Sequence, residues 1–144
     1  MRRRLTALVL TAIVCIHGMW HNPLSAQRPA VFADAHTERA RAGLKLFREE
    51  VRGLLVKHCL DCHGGKSTKG DFNLATREAL LESGFVDATA DASYLVELIE
   101  HRAEPAMPFK LPKMPPSAIA AIRKWIDLGA PYDKPFVEGT GGEP

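Results

Sequence analysis

The sequence predicts an all-α protein with about four helices, and three observations support this class. Apolar residues recur at spacings of three and four in three segments of the 144-residue chain, and a fourth segment has the capping residues of a short helix. Loops rich in glycine and proline, which interrupt regular structure, separate these segments. No segment shows the apolar–polar alternation of a half-buried strand. The length is sufficient for one small domain.

The first helix is expected from about Thr37 to Lys57, after a leader of residues 27–36. Charged side chains lie mostly on one side of it. The apolar side is formed by Leu44, Phe47, Val51, Leu54 and Leu55. This helix leads directly to Cys59.

Two shorter helices are expected after a glycine-containing loop. Thr76 is placed to cap the first of them, and Gly84 suits its end. Asp91 or Ser93 is placed to cap the second. The apolar side of the second is formed by Tyr94, Leu95, Leu98 and Ile99.

A proline-rich loop and a last helix complete the pattern. The loop Glu104–Pro116 contains five prolines and cannot form a regular helix or a central strand. The last helix is expected from about Ser117 to Leu128, and Gly129 suits its end. Its apolar side is formed by Ile119, Ile122, Trp125 and Ile126. We expect a core that joins Leu55, Leu98, Ile122 and Trp125.

The N-terminus has the pattern of a signal peptide. Three arginines precede an apolar run that is too short to span a bilayer as a mature helix. We expect residues 1–26 to be removed, with cleavage as late as residue 35 also consistent, and an uncleaved membrane anchor as the alternative. The folded domain is then 37–134 and a flexible tail 135–144. These features predict a periplasmic or otherwise exported protein.

Removal of the signal peptide changes the charge of the chain. It leaves 16 basic against 17 acidic residues, and the lysines and arginines are interspersed with acids. No basic patch indicates a nucleic-acid partner.

The stretch "HCLDCHGG" contains the two cysteines that remain after export, Cys59 and Cys62. C-x-x-C-H is the attachment signature of c-type haem. The two thiols form thioethers with the two vinyl groups of the porphyrin, and His63 ligates the iron from the same side. Two alternatives remain. A zinc site would need His58 and His101, without the usual second pair of ligands. A redox pair is expected between a strand and a helix.

A haem ligated by His63 has a sixth coordination position. A methionine thioether in that position suits electron transfer. Met107 and Met114 are the methionine candidates, both in the proline-rich loop, and His101 is a third candidate. Met107 is flanked by prolines and belongs to no helical stripe.

The chain resembles the class I cytochrome c family and, within it, the planctomycete-type cytochrome c domain. The resemblance covers about Phe47 to Asp133. It rests on "FREEVRGLLVKHCLDCHGG", "FNLATREALLESG", "SYLVELIEH" and "EPAMPFKLPKMPPSAIAAIRKWIDLGAPYD". It implies a small cytochrome c-like fold wrapped around one covalently bound haem c per chain. It also implies Met107 as the distal iron ligand, with Met114 as the alternative.

Some positions depart from the family pattern. Phe109 replaces the second proline of a Met-Pro-Pro sequence, and Gly53 stands where the family often has proline. Val51 and Leu55 occupy positions where many class I cytochromes have glycine and an aromatic residue. Contact between the first and last helices is therefore expected to rely on Leu55 and Trp125.

These observations predict an exported monohaem cytochrome that transfers single electrons to a redox partner protein and is not itself an enzyme. A haem-binding module that docks to a larger enzyme or senses small ligands is one alternative, and a structural metal-binding module is another. No transmembrane span is expected in the mature chain. Four lysines flank the expected haem crevice, either as a docking surface or as solvated loop residues: Lys66, Lys69, Lys110 and Lys113.

Overall fold

The structure is a computed structural model that describes residues 28–65 and 68–136. The predicted signal peptide, Lys66 and residues 137–144 lie outside these ranges. None of the helices within them is long and apolar enough to cross a membrane.

The described residues form helices and loops, without a strand among them, as the sequence predicts. The elements in chain order are α1 (Arg28–Leu46), a π-helical turn (Phe47–Val51), α2 (Arg52–His58), α3 (Leu60–His63), a 3₁₀ turn (Lys69–Asp71), α4 (Arg77–Glu82), α5 (Tyr94–Ile99) and α6 (Pro116–Asp127). The helix α1 begins at Arg28, so the segment expected as a leader is helical from that residue. The short helix α3 is additional to the four that the sequence predicts.

The first helix is continuous from α1 through the π-helical turn into α2. The Arg52 N–H donates to the Phe47 carbonyl oxygen, five residues earlier, which widens the helix by one residue at this point. Phe47 and Val51, at the two ends of the turn, are both fully buried, whereas Arg48, Glu49 and Glu50 between them are exposed. The turn therefore directs its two apolar side chains into the core.

The residues predicted to cap or end the helices after Cys59 are confirmed, except for Ser93. The Thr76 hydroxyl accepts a hydrogen bond from the Ala79 N–H at 3.1 Å and caps α4. Gly84 and Gly129 follow their helices with left-handed φ angles of 73° and 92°. Ser93 precedes α5 but makes no side-chain cap. Its hydroxyl instead donates to the Thr89 carbonyl at 2.7 Å and accepts from the Asp87 N–H at 2.9 Å, closing the preceding loop.

The core lies between the first helix and α6. Leu55, Ile122 and Trp125 are at most 1% exposed and belong to one cluster, as predicted. Leu98 is also buried, but it is not part of this cluster and lines a cavity instead.

The crossing of the first and last helices differs from the prediction. A Cβ atom at Gly43 would lie 2.6 Å from Pro131 Cγ, so α1 approaches the end of α6 closely at this glycine. Four residues later, the Phe47 ring stacks on Trp125 with centroids 5.7 Å apart. A glycine–aromatic crossing therefore exists, about 12 Å earlier along the helix than the positions of Val51 and Leu55. The prediction failed because it placed the helix crossing at a fixed number of residues before Cys59.

The C-terminal segment packs against the first helix. The Phe136 N–H donates to the Ala75 carbonyl at 2.9 Å, although residue 136 falls in the predicted tail. The Arg52 guanidinium lies 4.5 Å from the Phe136 ring centroid and donates to the Lys134 carbonyl at 3.0 Å. The same guanidinium pairs with Asp133 at 3.3 Å.

Candidate functional site

A cavity of about 560 Å³ lies beside the attachment segment, the residues Cys59–Gly64. It is enclosed by that segment, the turn after it, α5 and the proline-rich loop. The site residues predicted from the sequence all line it: Cys59, Cys62, His63, Met107 and Met114. A cavity of this size is typical of a ligand or cofactor site rather than of a packing defect.

The attachment segment is organised by local backbone hydrogen bonds. The Cys59 N–H donates to the Leu55 carbonyl at 3.0 Å, which joins it to the end of α2. The Cys62 and His63 N–H groups then donate to the Cys59 carbonyl at 3.2 and 3.0 Å. This single turn brings both thiols and the imidazole to the same cavity wall.

Both cysteines carry free thiols. Burial, and secondarily the neighbouring Cys62, raise the pKa of the Cys59 thiol to about 12. A thiol with such a pKa is protonated at neutral pH, which argues against the activated thiolate of a redox-active pair.

His63 is oriented by the turn that follows it. Its Nδ1 lies 3.2 Å from the Phe72 carbonyl oxygen. That oxygen can only accept, so Nδ1 carries the proton and donates, and Nε2 keeps its lone pair. The Leu74 N–H donates to the His63 carbonyl at 2.7 Å, and the Phe72 ring meets the imidazole at a centroid distance of 5.1 Å. A histidine held in this way presents Nε2 as a metal ligand.

The glycine-containing loop makes this return possible. Gly70 and Asp71 have left-handed φ angles of 66° and 59° within the 3₁₀ turn. The reversal carries Phe72 back to His63. Gly64 is also required on steric grounds, because a Cβ atom there would lie 2.4 Å from the Leu60 carbonyl oxygen.

The two methionines differ in their surroundings. Met114 is 3% exposed and belongs to the hydrophobic core cluster. Met107 is half-buried and packs against that cluster from outside. The backbone of Met107 is held at both polar atoms: its N–H donates to the Leu98 carbonyl at 3.0 Å, and its carbonyl accepts from His101 Nε2 at 3.1 Å.

Two aromatic residues that the sequence did not mark, Phe72 and Phe85, form part of the cavity wall. The Phe72 and Phe85 rings pack at a tilt of 37° with centroids 4.9 Å apart, and the Phe85 ring contacts the Tyr94 ring at 5.6 Å. Leu95, Leu98 and Ile99 of α5 complete this wall. Phe72 and Phe85 lie in irregular loops, so no periodicity marks them. Their only sequence signal is a large aromatic residue in a segment expected to be exposed.

The rim of the cavity combines apolar and charged side chains. Phe109 and Leu111 are 57% and 60% exposed, and the Lys110 ammonium lies 5.1 Å from the Phe109 ring centroid. Lys57, Asp61 and Lys69 also border the opening. Lys110 and Lys113 are both exposed, and neither is among the residues that line the cavity.

The predicted alternative of a metal module finds no support in the part of the chain that the structure describes. Across residues 28–65 and 68–136, no three His, Cys, Asp or Glu side chains come together as a set that could hold a metal ion. His58 borders the cavity, but His101 donates to the Met107 carbonyl instead.

Residues 59–117 match the family Planctomycete cytochrome C. The match begins at the first cysteine of the attachment segment and ends at the start of α6. It therefore contains His63, Met107 and Met114, but not α1, α2 or most of α6. No curated protein and no solved structure matches the chain.

Proposed function

We propose that the protein is an exported monohaem cytochrome that carries single electrons, because residues 59–117 match the family Planctomycete cytochrome C. One observation supports this most directly. Two thiols, an imidazole with a free Nε2 and a methionine thioether line the same apolar cavity.

The donor set fits a c-type haem. Cys59 and Cys62 are the thioether-forming residues, and His63 Nε2 is the proximal ligand. When bound, the haem supplies an iron that accepts and releases one electron. The protein supplies attachment, ligation and a dry environment.

The residues around these donors have defined roles in the proposal. The Phe72 carbonyl fixes the orientation of the His63 ring. The hydrogen bond that it accepts from Nδ1 makes Nε2 a stronger electron-pair donor to a metal. Phe85, Leu95 and Leu98 exclude water from the cavity. A low dielectric disfavours the extra charge on oxidised iron, so this wall favours the reduced state.

Met107 is the proposed distal ligand. Its backbone is held by α5, whereas its side chain is only half-buried within the protein. Burial in the core already accounts for Met114. A ligand methionine is expected on a fixed backbone beside the cofactor cavity, and Met107 has such a backbone and lines the cavity.

Electron transfer requires contact with a redox partner. Phe109 and Leu111 are exposed at the cavity rim beside Lys110, and Lys57 and Lys69 line the same cavity. This rim suits transient docking of a partner that has an acidic border around an apolar centre. The same exposed apolar pair favours the alternative, a haem module that docks stably on a larger enzyme.

Export belongs to the same proposal. The basic and apolar N-terminal sequence has the pattern of a signal peptide, and haem c attachment occurs outside the cytoplasmic membrane in this family. N-terminal sequencing of the holoprotein tests it, with a start after Ala26 or Ala35 expected. A start at Met1 would support the anchored form instead.

Visible spectroscopy of haem-matured protein tests the ligation. Oxidised wild type is expected to show the weak long-wavelength band of a sulfur-ligated ferric haem. Met107→Ala should abolish this band and admit free imidazole at the iron, while Met114→Ala should keep it. Loss of the band in Met114→Ala alone would assign the distal position to Met114.

A further inference from the structure

The C-terminal end of α5 has an unusual residue at a position that glycine normally occupies. The His101 N–H donates to the Leu98 carbonyl at 3.2 Å, and the Arg102 N–H donates to the Glu97 carbonyl at 2.9 Å. These two bonds define a Schellman motif, whose closing residue adopts a left-handed conformation. That residue is His101, with φ of 57°. A side chain with a Cβ atom is unfavourable in this conformation.

The left-handed turn directs the imidazole onto the proline-rich loop. His101 Nε2 donates to the Met107 carbonyl at 3.1 Å. The Leu98 carbonyl, which already accepts from His101, also accepts from the Met107 N–H at 3.0 Å. Both polar groups of the Met107 backbone are therefore bound by the last residues of one helix end.

The rest of the loop is held less directly. The Tyr94 hydroxyl donates to the Glu104 carbonyl at 3.2 Å, and the Ala106 N–H donates to the Glu104 carboxylate at 3.2 Å. These bonds anchor the start of the loop, three residues before Met107. Among residues 28–65 and 68–136, the Met107 N–H and carbonyl are bound by Leu98 and His101 alone, and only the His101 contact depends on a side chain.

We propose that His101 is a positioning residue for the Met107 thioether. The inference rests on the proposed function, in which Met107 ligates the haem iron. With its carbonyl bound, the Met107 backbone is restricted to the orientation from which the side chain enters the cavity. The ligand then loses less conformational freedom when its sulfur binds, so a competing ligand displaces it less readily.

The experiment measures how well free imidazole competes with Met107 in oxidised holoprotein. His101→Gly removes the side-chain donor, and glycine suits the left-handed backbone at this position. Weaker ligation by Met107 in this variant would therefore reflect the lost hydrogen bond rather than backbone strain. We expect the apparent affinity for free imidazole to rise about fivefold, because the loss of one neutral hydrogen bond costs about 1 kcal/mol. His101→Gln keeps an N–H donor and should restore part of the wild-type resistance. If His101→Gly fails to mature, His101→Gln and His101→Leu provide the same comparison.

Lys110→Gly is the matched control. Lys110 also has a left-handed φ, 58°, and lies three residues after Met107 in the same loop. Its replacement should leave imidazole affinity unchanged. An equal increase in Lys110→Gly would mean that general loosening of the loop, rather than the His101 bond, is responsible, and would overturn the inference. Wild-type affinity in His101→Gly would also overturn it.

The failure of the proposed function is recognisable separately. A wild type without the sulfur band, or a Met107→Ala protein that keeps it, contradicts ligation by Met107 and the inference with it. A band that depends on Met107 but resists imidazole equally in wild type and His101→Gly contradicts the inference alone.

Discussion

The protein divides into an aromatic half and a cavity half that are packed on different principles. In the aromatic half, Phe47 stacks on Tyr132 at 4.6 Å and on Trp125 at 5.7 Å, and Phe136 closes the group edge-on. In the cavity half, Phe72, Phe85 and α5 surround a space of about 560 Å³. Side chains fill the interior of the aromatic half, whereas those of the cavity half line an open space.

This difference has an energetic consequence. Buried apolar area stabilises a fold in proportion to what is removed from water, and side chains that line a cavity contribute less than those in mutual contact. The aromatic half should therefore be stable by itself. The cavity half should depend on the cofactor that we propose for it. Three predictions test this comparison.

Removal of covalent attachment should have the largest effect. In Cys59→Ser/Cys62→Ser, acid–acetone extraction should remove all haem, whereas wild type should keep it. In the haem-free protein, the amides of α5 and of the proline-rich loop should lose most of their protection from hydrogen exchange. The amides of α6 beside Trp125 should lose less, because their contacts are made by protein side chains. Equal loss in both halves would contradict the division.

Truncation in the aromatic half should be the next largest effect. Trp125→Ala is expected to lower the free energy of unfolding by about 3–5 kcal/mol, the range for a large buried aromatic residue. Chemical denaturation measures this. Trp125→Phe is the matched variant, because it keeps an aromatic ring but loses the Nε1 hydrogen bond to the Pro131 carbonyl at 2.9 Å. It should cost about 1 kcal/mol for that bond, in addition to the loss of ring volume. If Trp125→Ala lowers the free energy of unfolding by less than about 1 kcal/mol, Trp125 is not a main source of stability in this half.

The smallest effect concerns the charged contacts that join the two halves. Glu100 at the end of α5 accepts from Arg102 at 2.6 Å and from Arg123 of α6 at 3.0 Å. Burial opposes ionisation, but the two guanidinium groups outweigh it and lower the pKa of Glu100. Its stabilisation is therefore complete above the ordinary glutamate pKa and is lost as the pH falls through the lowered value.

Glu100→Gln should cost at most about 1 kcal/mol at pH 7, since the pair is partly solvated. The difference from wild type should be lost in acid, as the pH falls through the lowered pKa of Glu100. The control is Glu97→Gln, whose carboxylate lies 3.9 Å from Arg102 and is 42% exposed. A pH-independent difference for Glu100→Gln would show that shape, rather than charge, accounts for the effect.

The sequence predicts those features that depend on neighbouring residues. C-x-x-C-H specifies a single turn, so Cys59, Cys62 and His63 could be identified without a structure. Thr76 and Gly84 mark the ends of α4 because caps act locally. Ile122 and Trp125 follow from helical periodicity.

Features that depend on distant contacts could not be predicted. Phe72 is buried and Phe85 is partly buried through loop conformation, for which no period exists. The π-helical turn has no residue signature, and it determines how Phe47 reaches Trp125. The bond from His101 to Met107 requires a left-handed residue at a position where the sequence rules expect glycine.

The helix crossing at Gly43 also has a mechanical consequence. The crossing lies 16 residues before Cys59, so the first helix forms an arm about 24 Å long between its pivot on α6 and the attachment segment. A tilt of about 5° at the pivot would displace the free end of such an arm by about 2 Å. Phe47, Val51 and Leu55 are buried along this part of the helix, and their packing against the core resists such a tilt. The accuracy with which Cys59 is placed is therefore set in part by side chains far from it.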